Sequence, residues 1–193
     1  MGLKVKYLKF FFASLRIAGI VLPYTNIRMA ELGNQRMKYK GDPELAGYVK
    51  KFIDVKDGCI DAPKTGKEFF TALGFDHTSF DINGKDGALP IDLTEPLPAE
   101  HFEKYDIVTN FGTTEHIKKQ TAAFKNIHNL LKRGGIAIHI VPLEGGILGH
   151  HGVYQYSYDF FEMLCLRHKY DFVVSIQERV EIPGCLTCCL RKL

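Results

Sequence analysis

A chain of 193 residues, 46% hydrophobic and 24% charged, has the length for one domain with a sizeable core and an ordinary globular composition. A formal charge of +3 is too small to argue for a nucleic-acid partner, and no apolar run approaches the ~20 residues that span a bilayer. The five cysteines do not suggest a disulfide framework. Cys185-Leu186-Thr187-Cys188 has CxxC spacing but sits in an alternating apolar run, with no partner pair and no nearby ligand histidine. Reduced thiols in an edge or terminal strand are favoured over zinc or redox chemistry, which points to a reducing, cytoplasmic setting.

Met1 to Leu22 carries Lys4, Lys6 and Lys9, then Phe10-Phe11-Phe12, with Arg16 interrupting the apolar stretch. Residues 1–26 are expected to form a helical segment that packs on the remaining domain, 27–193, or caps its site. Peripheral contact with a membrane through residues 1–22 is the alternative. Ile27 to Leu32 reads as the first strand and ends at Gly33-Asn34-Gln35. Arg36 to Pro63 has no clear period beyond one helix, Pro43 to Phe52, and a loop of that length is usually functional or mobile. Lys64 to Leu73 is predicted as a helix with Phe69, Phe70 and Leu73 inward. His77 to Ile82 is the second strand, holding Asp81. Asn83 to Gly87 is a tight turn, and five turn residues cannot carry a parallel crossover. Ala88 to Leu93 is therefore either no true parallel strand or the mark of a deleted helix. Thr94 to Lys104 is a proline-rich connection.

Tyr105 to Thr109 is a buried strand broken by Asn110-Phe111-Gly112. Thr113 or Thr114 is expected to cap a helix with Glu115 in its first turn. Apolar positions from Ile117 to Leu131 recur at helical spacing, Lys132-Arg133 fall in the last turn, and Gly134-Gly135 stop the helix. Ile136 to Val141 is the next strand. A loop, Leu143 to Gly152, leads to a helix from Ser157 to His168 and strands at Phe172 to Gln177 and Leu186 to Leu190. The strand–helix–strand unit predicts a doubly wound, mostly parallel, Rossmann-like α/β sheet with helices on both faces. Ligands of such sheets bind at the carboxyl ends of the strands, where Asn110 to Thr113 lie.

The order of these segments resembles the class I S-adenosylmethionine-dependent methyltransferases, most closely a divergent group with ELGNQ in place of the glycine-rich loop. The resemblance spans Ile27 to Gln177. It implies S-adenosylmethionine as cofactor, with Glu31, Gly33 and Asn34 in the loop beneath the methionine part and ribose. It implies Asp81 on the ribose hydroxyls, Asp92 on the adenine amine, and Asn110, Phe111 and Gly112 facing the methionine part and the transferred methyl. Glu115-His116 resembles the Glu-His that opens the next helix in many small-molecule methyltransferases. Each residue also has a plainer reading. Asp81 suits turn chemistry before Asn83-Gly84, Asp92 a local cap before Thr94, Glu115 a helix-dipole partner, and Gly33 a strand terminator. Their joint order favours the ligand reading.

The transfer needs alignment and, for some acceptors, a base. His116, His150 and His151 are the catalytic candidates, with Glu144 a further possibility. His139, inside an apolar strand, reads as a hydrogen-bonded core histidine. Tyr154, Tyr156 and Tyr158 either line an acceptor pocket or cover the following helix. The expected partner is a small-molecule acceptor: a sugar, a lipid-linked intermediate or a metabolite. A non-catalytic S-adenosylmethionine-binding or regulatory module is the alternative of a different class. An NAD-binding domain would want GxGxxG after the first strand, which is absent.

Overall fold

The sheet is built on apolar strands whose alternate side chains feed two separate cores, one on each face. The computed structural model describes residues 2–21, 23–52, 63–145, 152–178 and 184–193. Six strands are ordered β2-β1-β3-β4-β6-β5. They are β1 (Arg28–Leu32), β2 (Asp76–Phe80), β3 (Tyr105–Phe111), β4 (Leu131–Pro142), β5 (Tyr170–Glu178) and β6 (Cys185–Lys192). β1 to β4 pair in parallel, and β6 runs antiparallel between β4 and β5. The helices are α1 (Val5–Ile17), α2 (Glu44–Val49), α3 (Gly66–Ala72), α4 (Gln120–Leu130) and α5 (Tyr158–His168).

Ala30, Leu32, Val108, Ala137 and Val141 face α4 and α5, where Phe124, Ile127 and Phe161 complete the core. Met29, Ile107, Ile136, Ile138 and Ile140 face the other way, against Leu8, Phe11 and Leu15 of α1 and Phe69 and Phe70 of α3. The apolar face of α1 is thus turned to the sheet rather than outward. No described helix is long and apolar enough to cross a membrane. Cys188 joins the first core and its neighbour Cys189 the second. All three cysteines of β6 are buried free thiols.

The short turn after β2 has the consequence its length implies. Ala88 to Leu93 forms no strand; Leu89 alone makes a parallel bridge to Phe80, with Leu89 N donating to Ser79 O at 2.8 Å. Thr65 caps α3 by accepting from Glu68 N (3.1 Å), and Ser157 caps α5 by accepting from Phe160 N (3.2 Å).

Two expectations around the central unit are corrected. Neither Thr113 nor Thr114 caps α4: Thr114 to His116 is a single 3-10 turn, and α4 begins at Gln120. The cause is Asn110, whose Oδ1 accepts from Thr113 N (3.4 Å) and Thr114 N (3.1 Å) and closes the turn before a helix can start. Lys132-Arg133 lie in β4 beside a register shift, not in a last helical turn. Lys132 reaches Asp106 Oδ1 at 2.8 Å, and the end of α4 is served instead by Lys192, whose Nζ donates to His128 O (3.0 Å) and Leu131 O (2.8 Å).

Candidate active site

A crevice of about 430 Å³ opens at the carboxyl ends of β1, β2 and β3. This is where the strand order reverses, with β1 lying between β2 and β3. Its walls include Gly33, Asn34, Gln35, Asp81, Asp92, Gly112 and His116, over apolar Phe80, Ile82, Ile91, Leu93 and Ile117.

The loop after β1 is held from two sides. Asp81 accepts from Asn34 N through Oδ2 (2.9 Å) and from Asn83 N through Oδ1 (3.0 Å). Thr113 Oγ1 donates to Leu32 O at 2.7 Å, tying the loop after β3 to the loop after β1. Gly33 has φ +77°, and a Cβ there would meet Thr113 Oγ1 at 2.5 Å, so only glycine fits. Gln35 Oε1 and Asn34 Oδ1 are buried acceptors without a hydrogen-bond partner in this wall. Asp92 accepts from Thr94 N at 2.8 Å, and that bond holds its carboxyl below the usual range.

Three residues expected at the cofactor do not line this crevice. Glu31 is fully buried on the opposite side of β1, at 3.6 Å from His77 Nε2. The alternation of β1 puts Leu32 toward α4 and Glu31 toward α3, where Gly66 leaves room for the carboxyl. Burial pushes the Glu31 carboxyl well above its ordinary value and holds His77 down to about 4. Phe111 is packed against Phe11 in the α1 core. Asn110 is buried, its Nδ2 donating to Thr114 Oγ1 (2.8 Å) and contacting His139 Nδ1 (3.2 Å). His139 is fully enclosed and held down to about 3 by burial, the core histidine its setting suggested.

The 3-10 turn forms the rim. His116 is exposed, with Nε2 3.8 Å from Glu115 Oε1. Glu115 is buried, and its carboxyl is pushed up to about 7 by desolvation. Glu115 O accepts from Val153 N (2.7 Å) and Tyr154 N (3.2 Å), which brings the segment before α5 onto the turn. The Tyr156 hydroxyl bonds Thr114 Oγ1 (3.0 Å) and Gln120 Oε1 (2.7 Å), while Gln120 Nε2 donates to the carbonyls of Thr114 (2.7 Å) and Ile117 (2.6 Å). Tyr156 therefore supports the turn from beneath; Glu144 is exposed. His150 and His151 lie outside the described residues. Tyr156→Phe is expected to cost about 1–3 kcal/mol, because the buried Thr114 and the half-buried Gln120 each lose a bond. Urea denaturation checks this, and unchanged stability would show the hydroxyl to be idle.

Sequence reasoning passed over Gln35 and Thr113 as individual contributors and gave no role to Ile82 or Ile91. The first two stand inside the motifs it quoted, and Ile82 directly follows Asp81. Ile91 carried no signal outside the tertiary fold.

A family model described as a methyltransferase domain matches residues 56–170. No curated protein matches the chain. Among solved structures, the Burkholderia thailandensis 1,6-didemethyltoxoflavin-N1-methyltransferase, with 1,6-didemethyltoxoflavin and S-adenosylhomocysteine bound, superposes with a TM-score of 0.57 at 14% identity, over 93% of this chain and 78% of that one. The N-methyltransferase NodS from Bradyrhizobium japonicum WM9 superposes with a TM-score of 0.57 at 12% identity, over 97% and 94%. Identities this low establish the shared fold alone. The family match covers more than half of the residues, and on that ground the chain belongs to the methyltransferase domain family.

Proposed function

We infer that the protein transfers a methyl group from S-adenosylmethionine to a small-molecule acceptor. The observation that carries this is the crevice, which gathers two carboxylates, two glycines and an apolar floor at the switch point of a methyltransferase fold. The residues suit the cofactor. Asp81 keeps one acceptor direction free on each oxygen after serving Asn34 and Asn83, enough for a ribose diol. Asp92 stands ready for an exocyclic amine, and Ile82, Ile91 and Leu93 offer an apolar bed for adenine. Asn34 and Gln35 line the wall where the methionine part would lie. The bound cofactor supplies a sulfonium-activated methyl group. Gly33 and Gly112, both at positive φ, let the backbone approach it closely.

Glu31, Asn110 and Phe111 act behind this wall, in our reading, as supports of the two loops. His116 is the described rim residue placed to take an acceptor proton, next to a Glu115 that titrates near neutrality. The Burkholderia relative, which holds a small heterocycle beside S-adenosylhomocysteine, supports an acceptor of that size.

Incubation with S-adenosylmethionine and fractionated metabolite pools should yield S-adenosylhomocysteine above the level of a heat-inactivated control. Tight cofactor binding with no product in any pool would instead identify a non-catalytic binding module.

A further inference from the structure

A second cavity, of about 630 Å³, lies between α4 and α5. The two helices run alongside each other: the rings of Phe124 and Phe160 are 4.9 Å apart, and those of His128 and His168 5.8 Å. The groove between them joins apolar and charged residues. Phe124, Phe160, Met163 and Leu164 make an apolar floor. Arg167 and His168 stand exposed in the last turn of α5, and Lys125 is exposed at the middle of α4. Among the described residues none of these three has an ion-pair partner.

The one carboxylate in the lining, Asp159, is in the first turn of α5, ~12 Å along the helix from Arg167 at 1.5 Å per residue. Burial lowers the His128 pKa, and its Nδ1 lies 3.0 Å from the Tyr170 hydroxyl, so it adds polarity rather than charge at neutral pH. The volume is that of a small-molecule site, with an apolar lining and a few convergent polar groups.

We propose that this groove binds an apolar carboxylate, its anionic group against Lys125 and Arg167 and its hydrocarbon part over Phe124, Phe160 and Met163. The cations Lys125 and Arg167, one on each helix beside an apolar trough, select a molecule that joins an anionic group to a hydrocarbon part. A neutral alcohol of the same chain forfeits the Coulomb contribution, and a short carboxylate forfeits the apolar one. The groove also touches the active site. Gln120, in its lining, holds the carbonyls of Thr114 and Ile117, and Phe124 stacks on His139 at 5.8 Å.

Calorimetry with decanoate, decanol, decyltrimethylammonium and acetate, all below micelle-forming concentrations, tests the assignment on the full chain. Decanoate should bind saturably at one site. Decanol and the ammonium should bind at least about tenfold more weakly, and acetate not measurably. The double variant Lys125→Ala/Arg167→Ala, altered only at exposed positions, should lose about tenfold toward decanoate. It should keep its circular dichroism and its affinity for S-adenosylhomocysteine. Met163→Glu, which sets a carboxylate on the floor, should abolish decanoate binding. Absence of saturable decanoate binding would overturn the proposal, as would equal affinity for decanoate and decanol or an unaffected double variant.

Discussion

Unfolding free energy is expected to be greatest between pH 4.5 and 6.5, the ordinary carboxyl and imidazole values, and to fall on either side. Four buried groups set this profile. Burial pushes the carboxyl of Glu31 well above its ordinary value and that of Glu115 up to about 7. Burial also holds His77 down to about 4 and His139 to about 3. The raised carboxyls keep protons that the unfolded chain releases. Their contribution is full below pH 4.5 and is lost as pH rises through about 7 for Glu115 and through the raised value of Glu31. The depressed imidazoles refuse protons that the unfolded chain accepts. Their contribution is full above pH 6.5 and is lost as pH falls through 4 and then 3.

Between those limits the folded chain holds the two carboxyl protons and the unfolded chain two imidazole protons, so the slopes cancel. Glu31 and His77, 3.6 Å apart, share one proton, and the count is the same whichever of them carries it. Outside the window each uncompensated proton costs up to ~1.4 kcal/mol per pH unit. Urea denaturation from about pH 3 to about pH 9 reads the profile, and Glu115→Gln, which removes one of the two carboxyl protons, should turn the level stretch between pH 4.5 and 6.5 into one that rises with pH. Stability that rises steadily into the alkaline range would contradict the burial of the two carboxyls.

Asp81→Ala is expected to weaken S-adenosylmethionine binding by about one to three orders of magnitude, since hydrogen bonds to a charged group are worth ~1.5–3 kcal/mol each. The structure gives this carboxylate a second task. It fixes Asn34 N at 2.9 Å, so its removal also loosens the loop that walls the crevice. Asp81→Asn keeps one acceptor oxygen, but its amide nitrogen cannot accept from the second backbone N–H. It should fall between the wild type and the alanine variant. The fold should survive both changes, because Asp81 lies at a half-buried strand end rather than in either core. Calorimetry on the three proteins, with circular dichroism as control, gives the ranking. Equal affinities would reduce Asp81 to a turn residue.

The strands were legible because their apolar runs are short, dense and bounded by breakers. Arg28–Leu32, Asp76–Phe80 and Tyr105–Phe111 each lie within two residues of expectation. Chain length narrowed Ala88 to Leu93 to two readings, no true parallel strand or a deleted helix, because five turn residues cannot carry a parallel crossover, and the structure has a single bridge at Leu89 there. What failed was decided by side chains reaching across the chain. The start of α4 depends on Asn110 Oδ1 capturing two amide groups and on Gln120 tying the turn to the helix. Neither bond has a signature in periodicity. The position of Glu31 depended on which face of β1 looks at the crevice. A motif fixes order along the chain, and alternation fixes direction; here direction put Glu31 against His77 and left Gly33, Asn34 and Gln35 to line the site.

The crevice between β1, β2 and β3 has the lining and the position of an S-adenosylmethionine site. Isothermal titration of the wild-type chain with S-adenosylhomocysteine, against NAD as the competing Rossmann ligand, tests this assignment without knowledge of the acceptor. Saturable one-site binding of S-adenosylhomocysteine and no binding of NAD is the predicted result. Failure of S-adenosylhomocysteine to bind, or tighter binding of NAD, would contradict it.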